Sequence, residues 1–442
     1  MITKVCSVEN DMHKHSPPED AEAISRRAFV SNSAAWTMTS LVAAQATQAD
    51  ILSGAATKQT KTLPACPHPL LTPAESFNTV ARGNPKPHTL TGKDLVKARM
   101  TPETWRLEIT ADSRVEPPHV TQPARMQAPR TLKDGTALDL ETLRALGKSH
   151  GVKFIKATQC LNIPEPLGQG LWEGVPLRDV LKLCGKMRDV RRIYYRGFHN
   201  GDPEQIFQSS LSYTQAMETP PGAFPPMLAY RLNGQAITPL RGGPVRMIVP
   251  WAHGFKSIKW LQQIFVTNDY RANDTYALHN NDPESHLKTS AYIDPVPGRM
   301  PASQPVVLTG KVISGLSGLD RVEYSLRRVA KDAEPQDNTG HEKLEADWQP
   351  CRIYPPPNWE QILPHDVKPH QLLGFNAKTG QPKTWPLHYS MGYWGITLHG
   401  LQAGVYEARV RALDGNGFAQ PEPRPLRKSG GNAVEIQRFR LS

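Results

Sequence analysis

Two groups of residues in this 442-residue chain have types and spacings that suit chemistry. The first centres on Cys160, in Lys156-Ala-Thr-Gln-Cys160-Leu-Asn-Ile-Pro, followed by Gly170-Leu-Trp172-Glu-Gly174-Val-Pro176-Leu-Arg178-Asp179-Val-Leu. Val152 to Ala157 alternates apolar with polar or small residues, a short strand signal, and a Pro-containing loop follows. A thiol at the end of a strand faces a pocket, and once deprotonated it is a soft donor for a metal. The plain alternative is a small buried apolar side chain.

The second group is Arg246, Ser257 and Lys259. It lies in Arg241-Gly-Gly-Pro-Val-Arg246 and, beyond Val249-Pro250-Trp251, in Gly254-Phe-Lys-Ser257-Ile258-Lys259-Trp-Leu. Arg246 offers a planar fork of donors, while Lys259 and the Ser257 hydroxyl and backbone can grip phosphate oxygens. Val245 to Val249 reads as a buried strand, and such neighbours are poor company for idle cations. Surface salt bridges are the alternative use for them.

These groups need a frame. Leu138, Leu140, Leu143 and Leu146 give residues 136–149 a helical register leading to the strand before Cys160. Pro176 to Gly185 reads as a short helix with Pro in its first turn and Gly at its end. Glu103 to Thr110 alternates with period two, and Arg192 to His199 reads as another strand, delivering the turn Asn200-Gly-Asp202-Pro203. Asn233-Gly234 is a tight-hairpin signal. From Gln304 onward, short alternating strands around Val306, Val322, Tyr406 and Val410, with turn signals between them, indicate a β-sandwich of immunoglobulin type. The stretches 328–346 and 353–388 are longer than such a sandwich needs.

The order strand, cysteine, loop and W-x-G-V-P-L-R-D-V-L, joined by G-x-P-V-R, V-P and G-x-K-S-x-K-W-L, resembles the sulfite oxidase family of molybdopterin-dependent oxidoreductases. The likeness covers roughly residues 77–442. It implies an α+β chain: a mixed α/β molybdenum-cofactor domain at 76–302, then an immunoglobulin-like dimerisation domain at 303–442, hence a homodimer. It also implies that Cys160 is the protein's ligand to molybdenum and that Arg241, Arg246, Ser257, Ile258 and Lys259 bind the pterin and its phosphate. Phe77 to His88 is similar to the family's aromatic followed by R-N-H-x-P, with Gly83 and Asn84 where Asn and His are expected; Arg82 and Asn84 become cofactor candidates. By the same resemblance Asp202 touches the cofactor and Tyr276 lies near the metal.

The ends and composition add constraints. Ser25-Arg26-Arg27-Ala-Phe-Val, a small and apolar run, and Ala44-Gln45-Ala46 have the shape of a twin-arginine export signal over 1–46, which predicts a periplasmic protein. Residues 47–75, rich in Thr, Ala, Pro and Lys, read as a linker. Removing 1–46 takes away four cations and five anions, so the formal charge of +11 becomes +12 and the basicity belongs to the mature chain. Basic residues are scattered, without a phosphate loop, zinc-finger spacing or RNA-binding signature, so nucleic acid is not the expected partner. There is no C-x-x-C-H and hence no haem motif in this chain. Cys184, in an apolar helix end, reads as core.

The expected activity is oxygen-atom transfer on a small sulfur oxyanion or sulfoxide, with sulfite oxidation favoured, and electrons leaving singly to a separate cytochrome or membrane carrier. No arginine follows Cys160 before Arg178, so the pull on a dianion near the metal is weakened. The V-P-W-x-x-G-F-K run also looks like the periplasmic methionine sulfoxide reductases, which makes sulfoxide reduction the alternative. A secreted binding or scaffold protein without cofactor is the reading from another class.

Overall fold

Among the described residues strands dominate, while helices are few and short. The computed structural model describes residues 58–59, 63–80, 82–160, 163–272, 274–275, 283–330, 346–420 and 433–442. The expected export signal and Tyr276 lie outside the described residues. Among the described residues no helix is long and apolar enough to cross a membrane.

The first half supplies β1 (Arg106–Ala111), α1 (Leu140–His150), β2 (Val152–Thr158), β3 (Gly168–Pro176), α2 (Leu177–Lys182), β4 (Arg192–Gly197), β5 (Gln208–Ser212), β6 (Met227–Leu232), β7 (Arg246–Ile248) and β8 (Leu261–Thr267). One antiparallel sheet runs β2–β3–β6, with β7 also paired to β6. A second, mixed sheet runs β1–β8–β4–β5, in which β8 is parallel to β1 and antiparallel to β4. Their core includes Trp105, Leu107, Val175, Tyr195, Val245 and Leu261.

Local chemistry explains the element ends. The Asp139 carboxylate accepts from Thr142 N at 2.8 Å and caps α1, whose Leu140 and Leu143 are buried. Pro176 leads into α2, which buries Leu177, Val180 and Leu181 against that core. Asn233 and Gly234, with φ of 50° and 79°, make the tight turn after β6. Cys184 is fully buried, and burial pushes its thiol up to about 11.

The second half is a two-sheet sandwich. It contains β9 (Ser290–Ile293), β10 (Val306–Ile313), β11 (Arg321–Val329), β12 (Met391–His399), β13 (Gly404–Leu413) and β14 (Glu435–Leu441). Sheets β9–β10–β12 and β11–β13–β14 share a core that includes Leu308, Val322, Cys351, Trp394, Val410 and Phe439. The expected domain boundary at 303 falls too late, because Ser290 to Ile293 pair with Ile313 to Gly310 and belong to the sandwich.

Two segments tie the halves together. The long Pro-rich stretch 353–388 folds over the β2–β3 sheet: Trp359, Leu363, Val367, Leu372 and Phe375 pack with Ile155 of β2 and Leu171 of β3. Residues 63–75, expected within a linker, are bonded to both halves. Thr72 N donates to Gln169 O at 2.8 Å, and the fully buried Gln169 amide donates to Leu70 O at 3.0 Å and Met391 O at 3.1 Å. His68 meets Asp294 at 2.8 Å. Buried backbone groups of the arm thus find partners on both sides, which a free linker does not need.

Candidate functional site

A cavity of about 1040 Å³, its open mouth included, lies where β2, the Cys160 loop, β3, β4 and the 241–260 segment meet. Cys160 is on its wall, 9% exposed and free of any disulfide. The loop that carries it is held from below. Gln159 Nε2 donates to Cys160 O at 3.0 Å and Ile163 O at 2.6 Å, and Gly254 N donates to Gln159 O at 2.7 Å. The thiol is therefore fixed relative to the 254–256 turn.

Three cations, Arg241, Arg246 and Lys259, line the same cavity. Arg246, 6% exposed, donates through Nη1 to Arg241 O at 2.8 Å and through Nη2 to Ser257 O at 2.9 Å, and its guanidinium carbon lies 5.1 Å from the Trp172 ring centre. Arg241 donates to Phe77 O at 2.9 Å and to Thr79 Oγ1. Lys259 Nζ donates to Val80 O at 3.0 Å and Leu240 O at 3.3 Å. The Ser257 hydroxyl accepts from Val249 N at 3.1 Å, and Ile258 is 3% exposed in the domain core.

Glycines make this packing possible. A Cβ on Gly242, at φ +94°, would meet the Lys259 side chain at 2.5 Å, and one on Gly197 would meet Lys259 O at 2.1 Å.

Among the described residues the cluster lacks a counter-charge. The three cations give their protons to carbonyls and one hydroxyl, none to a carboxylate among the described residues. Burial brings Arg246 down to about 9, with Arg241 adding to the effect, and brings Lys259 down to about 7, with Arg246 and Arg241 pushing the same way. Arg246 Nε, Arg241 Nε and Trp172 Nε1, all on cavity-lining residues, are buried without a hydrogen-bond partner among the described residues. Orphan donors and unbalanced cations in one wall call for an anion carrying several acceptors. A phosphate-bearing group with a metal beside the Cys160 sulfur fits that donor set. Among the described residues no group of three or more His, Cys, Asp or Glu is placed to hold a metal ion; Cys160 is the thiol the cavity offers.

Other expected residues are placed differently. Arg82 lines the cavity at its exposed rim, its guanidinium carbon 4.2 Å from the Phe207 ring centre. Asn84 and Asp202 do not line the cavity. The Asn84 backbone is held by the Gln205 amide, with N to Oε1 at 2.8 Å and O from Nε2 at 3.3 Å. The Asp202 carboxylate accepts from Glu204 N at 2.9 Å and Gln205 Nε2 at 2.8 Å. Both are thus engaged in joining the 82–85 and 199–205 loops, with Gln205 as the link.

Several residues went unread in the sequence. Lys256, inside the G-F-K-S-I-K motif, turns from the cavity into a buried ion pair with Asp274 at 2.6 Å. Asp274 also accepts from Ser209 Oγ at 3.2 Å and from Ser210 Oγ. Trp172 lines the cavity and Lys156 is fully buried; a lysine inside an otherwise buried strand is the signal the sequence carries for the latter. His253 is 1% exposed and is not among the cavity-lining residues.

Residues 94–275 match the family described as "Oxidoreductase molybdopterin binding domain". This chain carries a molybdopterin-binding oxidoreductase domain. That domain contains Cys160, Asp202, Arg241, Arg246, Ser257, Ile258 and Lys259, while Arg82 and Asn84 lie before it and Tyr276 directly after it. The chain is 35% identical over 132 residues to nitrate reductase [NAD(P)H] of Betula pendula, an overlap of 28% of this chain and 14% of that one. It is also 35% identical over 122 residues to nitrate reductase [NADH] of Spinacia oleracea, covering 26% and 13% of the two chains. The chain thus spans about 14% of the length of such curated relatives. Sulfane dehydrogenase SoxCD from Paracoccus pantotrophus shares its fold, with a TM-score of 0.50 at 16% identity over 87% of this chain and 90% of that one.

Proposed function

We propose that the protein is a molybdenum-cofactor oxidoreductase that transfers an oxygen atom on a small sulfur compound, with sulfite oxidation as the first reading. The observation that carries this is the joint opening of the Cys160 thiol and the uncompensated Arg246 and Lys259 cations on one cavity of a molybdopterin-binding domain. Cys160 holds the metal through its thiolate, the form in which sulfur ligates. Arg246 and Lys259 hold the phosphate end, with the Ser257 hydroxyl beside them. Trp172 and Phe77 wall the cavity. When bound, the molybdopterin supplies a metal that exchanges oxygen with substrate and releases electrons singly. In this reading those electrons go to a separate cytochrome or membrane carrier.

Sulfoxide reduction is the second reading. Phe207 and Phe255 pack on each other and line the same cavity, which suits a neutral substrate with an apolar substituent better than a dianion. We also propose twin-arginine export to the periplasm, and that the C-terminal sandwich is immunoglobulin-like and forms a homodimer; the export motif and the two-sheet arrangement support these readings.

The test is a substrate screen on cofactor-loaded protein, with sulfite, an organic sulfoxide with a reduced dye, and nitrate as arms. Turnover of sulfite, abolished by Cys160→Ser, supports the first reading; turnover of sulfoxide alone supports the second. Turnover of nitrate alone contradicts both.

A further inference from the structure

Lys156 lies on β2, four positions before Cys160, and is 1% exposed. Its Nζ donates to Ala157 O at 2.7 Å and to Ala252 O at 3.2 Å. A neutral amine has two N–H bonds to give and an ammonium three. Two carbonyls satisfy the amine, and a third proton has no acceptor among the described residues.

The surrounding charges favour the same state. From β7 comes Arg246, whose guanidinium opposes a second positive charge. From the Ala252 side comes the neighbouring His253. On β3 its register partner is the uncharged Gly170, and beyond Ala157, whose N donates to Tyr389 O at 2.8 Å, stands a phenol that burial pushes up. No carboxylate acts on Lys156 among the described residues. Burial and Arg246 together bring it from its ordinary 10.5 down to about 7. A buried ammonium is stable only beside an anion. Thr158, on the same face of β2 two positions on, and Arg246 both line the cavity, so an anion seated there lies directly beyond them.

We propose that Lys156 is a neutral amine in the cofactor-free protein and takes up one proton when the anionic cofactor enters, its ammonium becoming a counter-charge behind the Cys160 loop. This rests on the reading of the cavity as a molybdopterin site. Seating the cofactor then draws one proton from solvent onto Lys156 Nζ, and the gain of that charge adds to the hold on the anion.

The experiment follows melting temperature from about pH 6 to about pH 10 for wild type, Lys156→Met and Lys156→Arg, each prepared from a host that makes molybdopterin and from one that does not. A lysine held near 7 when folded and near 10.5 when unfolded leaves the unfolded chain with more protons between those values. Stability contributed by the neutral lysine is therefore present above the unfolded value and lost as pH falls through about 7. Cofactor-free wild type is expected to gain melting temperature with pH more steeply than cofactor-free Lys156→Met, and cofactor-loaded wild type to run parallel to cofactor-loaded Lys156→Met. Lys156→Arg, charged throughout, is expected to melt below wild type when cofactor-free at high pH and to recover when loaded. Parallel profiles for cofactor-free wild type and Lys156→Met overturn the neutral amine. Superimposed profiles for free and loaded wild type overturn the coupling, and this comparison stands alone if a variant does not fold. If wild type from the competent host holds no molybdenum, the reading of the cavity fails and the counter-charge role with it, while a cofactor-free profile steeper than that of Lys156→Met would still report a neutral Lys156.

Discussion

Arg246 stacks over Trp172 at 5.1 Å while its two terminal nitrogens donate to Arg241 O and Ser257 O. The ring and the carbonyls aim the guanidinium, and its Nε–H, buried on a residue that lines the cavity, has no partner among the described residues. This geometry needs a planar fork, and a lysine cannot reproduce it.

Arg246→Lys is therefore expected to lose most of its bound cofactor rather than retain it conservatively. Metal analysis per chain checks this. Full molybdenum content in Arg246→Lys would mean that a point charge suffices.

Lys259, brought to about 7 by burial with Arg246 and Arg241 beside it, is charged below that pH and neutral above it in the cofactor-free cavity. Anion affinity is expected to fall as pH rises past about 7, because each binding event must then supply the proton. Pterin retained after dialysis at about pH 6 should exceed that at about pH 9, and Lys259→Met should hold little at either. Equal retention by wild type at both values contradicts this.

The Lys256–Asp274 pair has side-chain exposures of 3% and 0%. Removing one partner leaves a buried charge, so Asp274→Ala is expected to destabilise the protein by about 3–5 kcal/mol in denaturant titration. Lys256→Met with Asp274→Leu should recover much of that loss. A double variant as unstable as the single one would show that the surrounding serines, and not the charge, set the cost.

Gln205 exchanges hydrogen bonds with Asn84 N, Asn84 O, Asn200 and Asp202. Gln205→Ala is expected to cost about 1–3 kcal/mol, since it leaves several of these groups without a partner. Hydrogen exchange at the Asn84 amide should accelerate in the variant. An unchanged rate would show that the loops are held by other contacts.

The sequence made the local pieces legible where a single signal dominated. Strand β2 ending at Cys160, α2 after Pro176, and the Asn233-Gly234 turn follow from periodicity and turn chemistry. The site cations were legible because Arg246 sits in an apolar strand. What stayed hidden depended on direction and distance. Lys256 and Lys259 share one motif, yet the turn at Gly254–Lys256 sends the first to Asp274 and leaves the second on the cavity wall. Asn84 and Asp202 read as contact residues because their roles are set by Gln205, which is far from Asn84 in the chain. The excess length of 353–388 was visible, but its packing on Ile155 and Leu171 is a long-range contact that no local pattern encodes.

The most direct test of the account is molybdenum and pterin content of protein expressed with an intact export pathway, beside Cys160→Ser. About one molybdenum per chain, with a metal spectrum that changes in Cys160→Ser, is the predicted result. Folded wild-type protein without molybdenum, or a spectrum indifferent to Cys160, would contradict it.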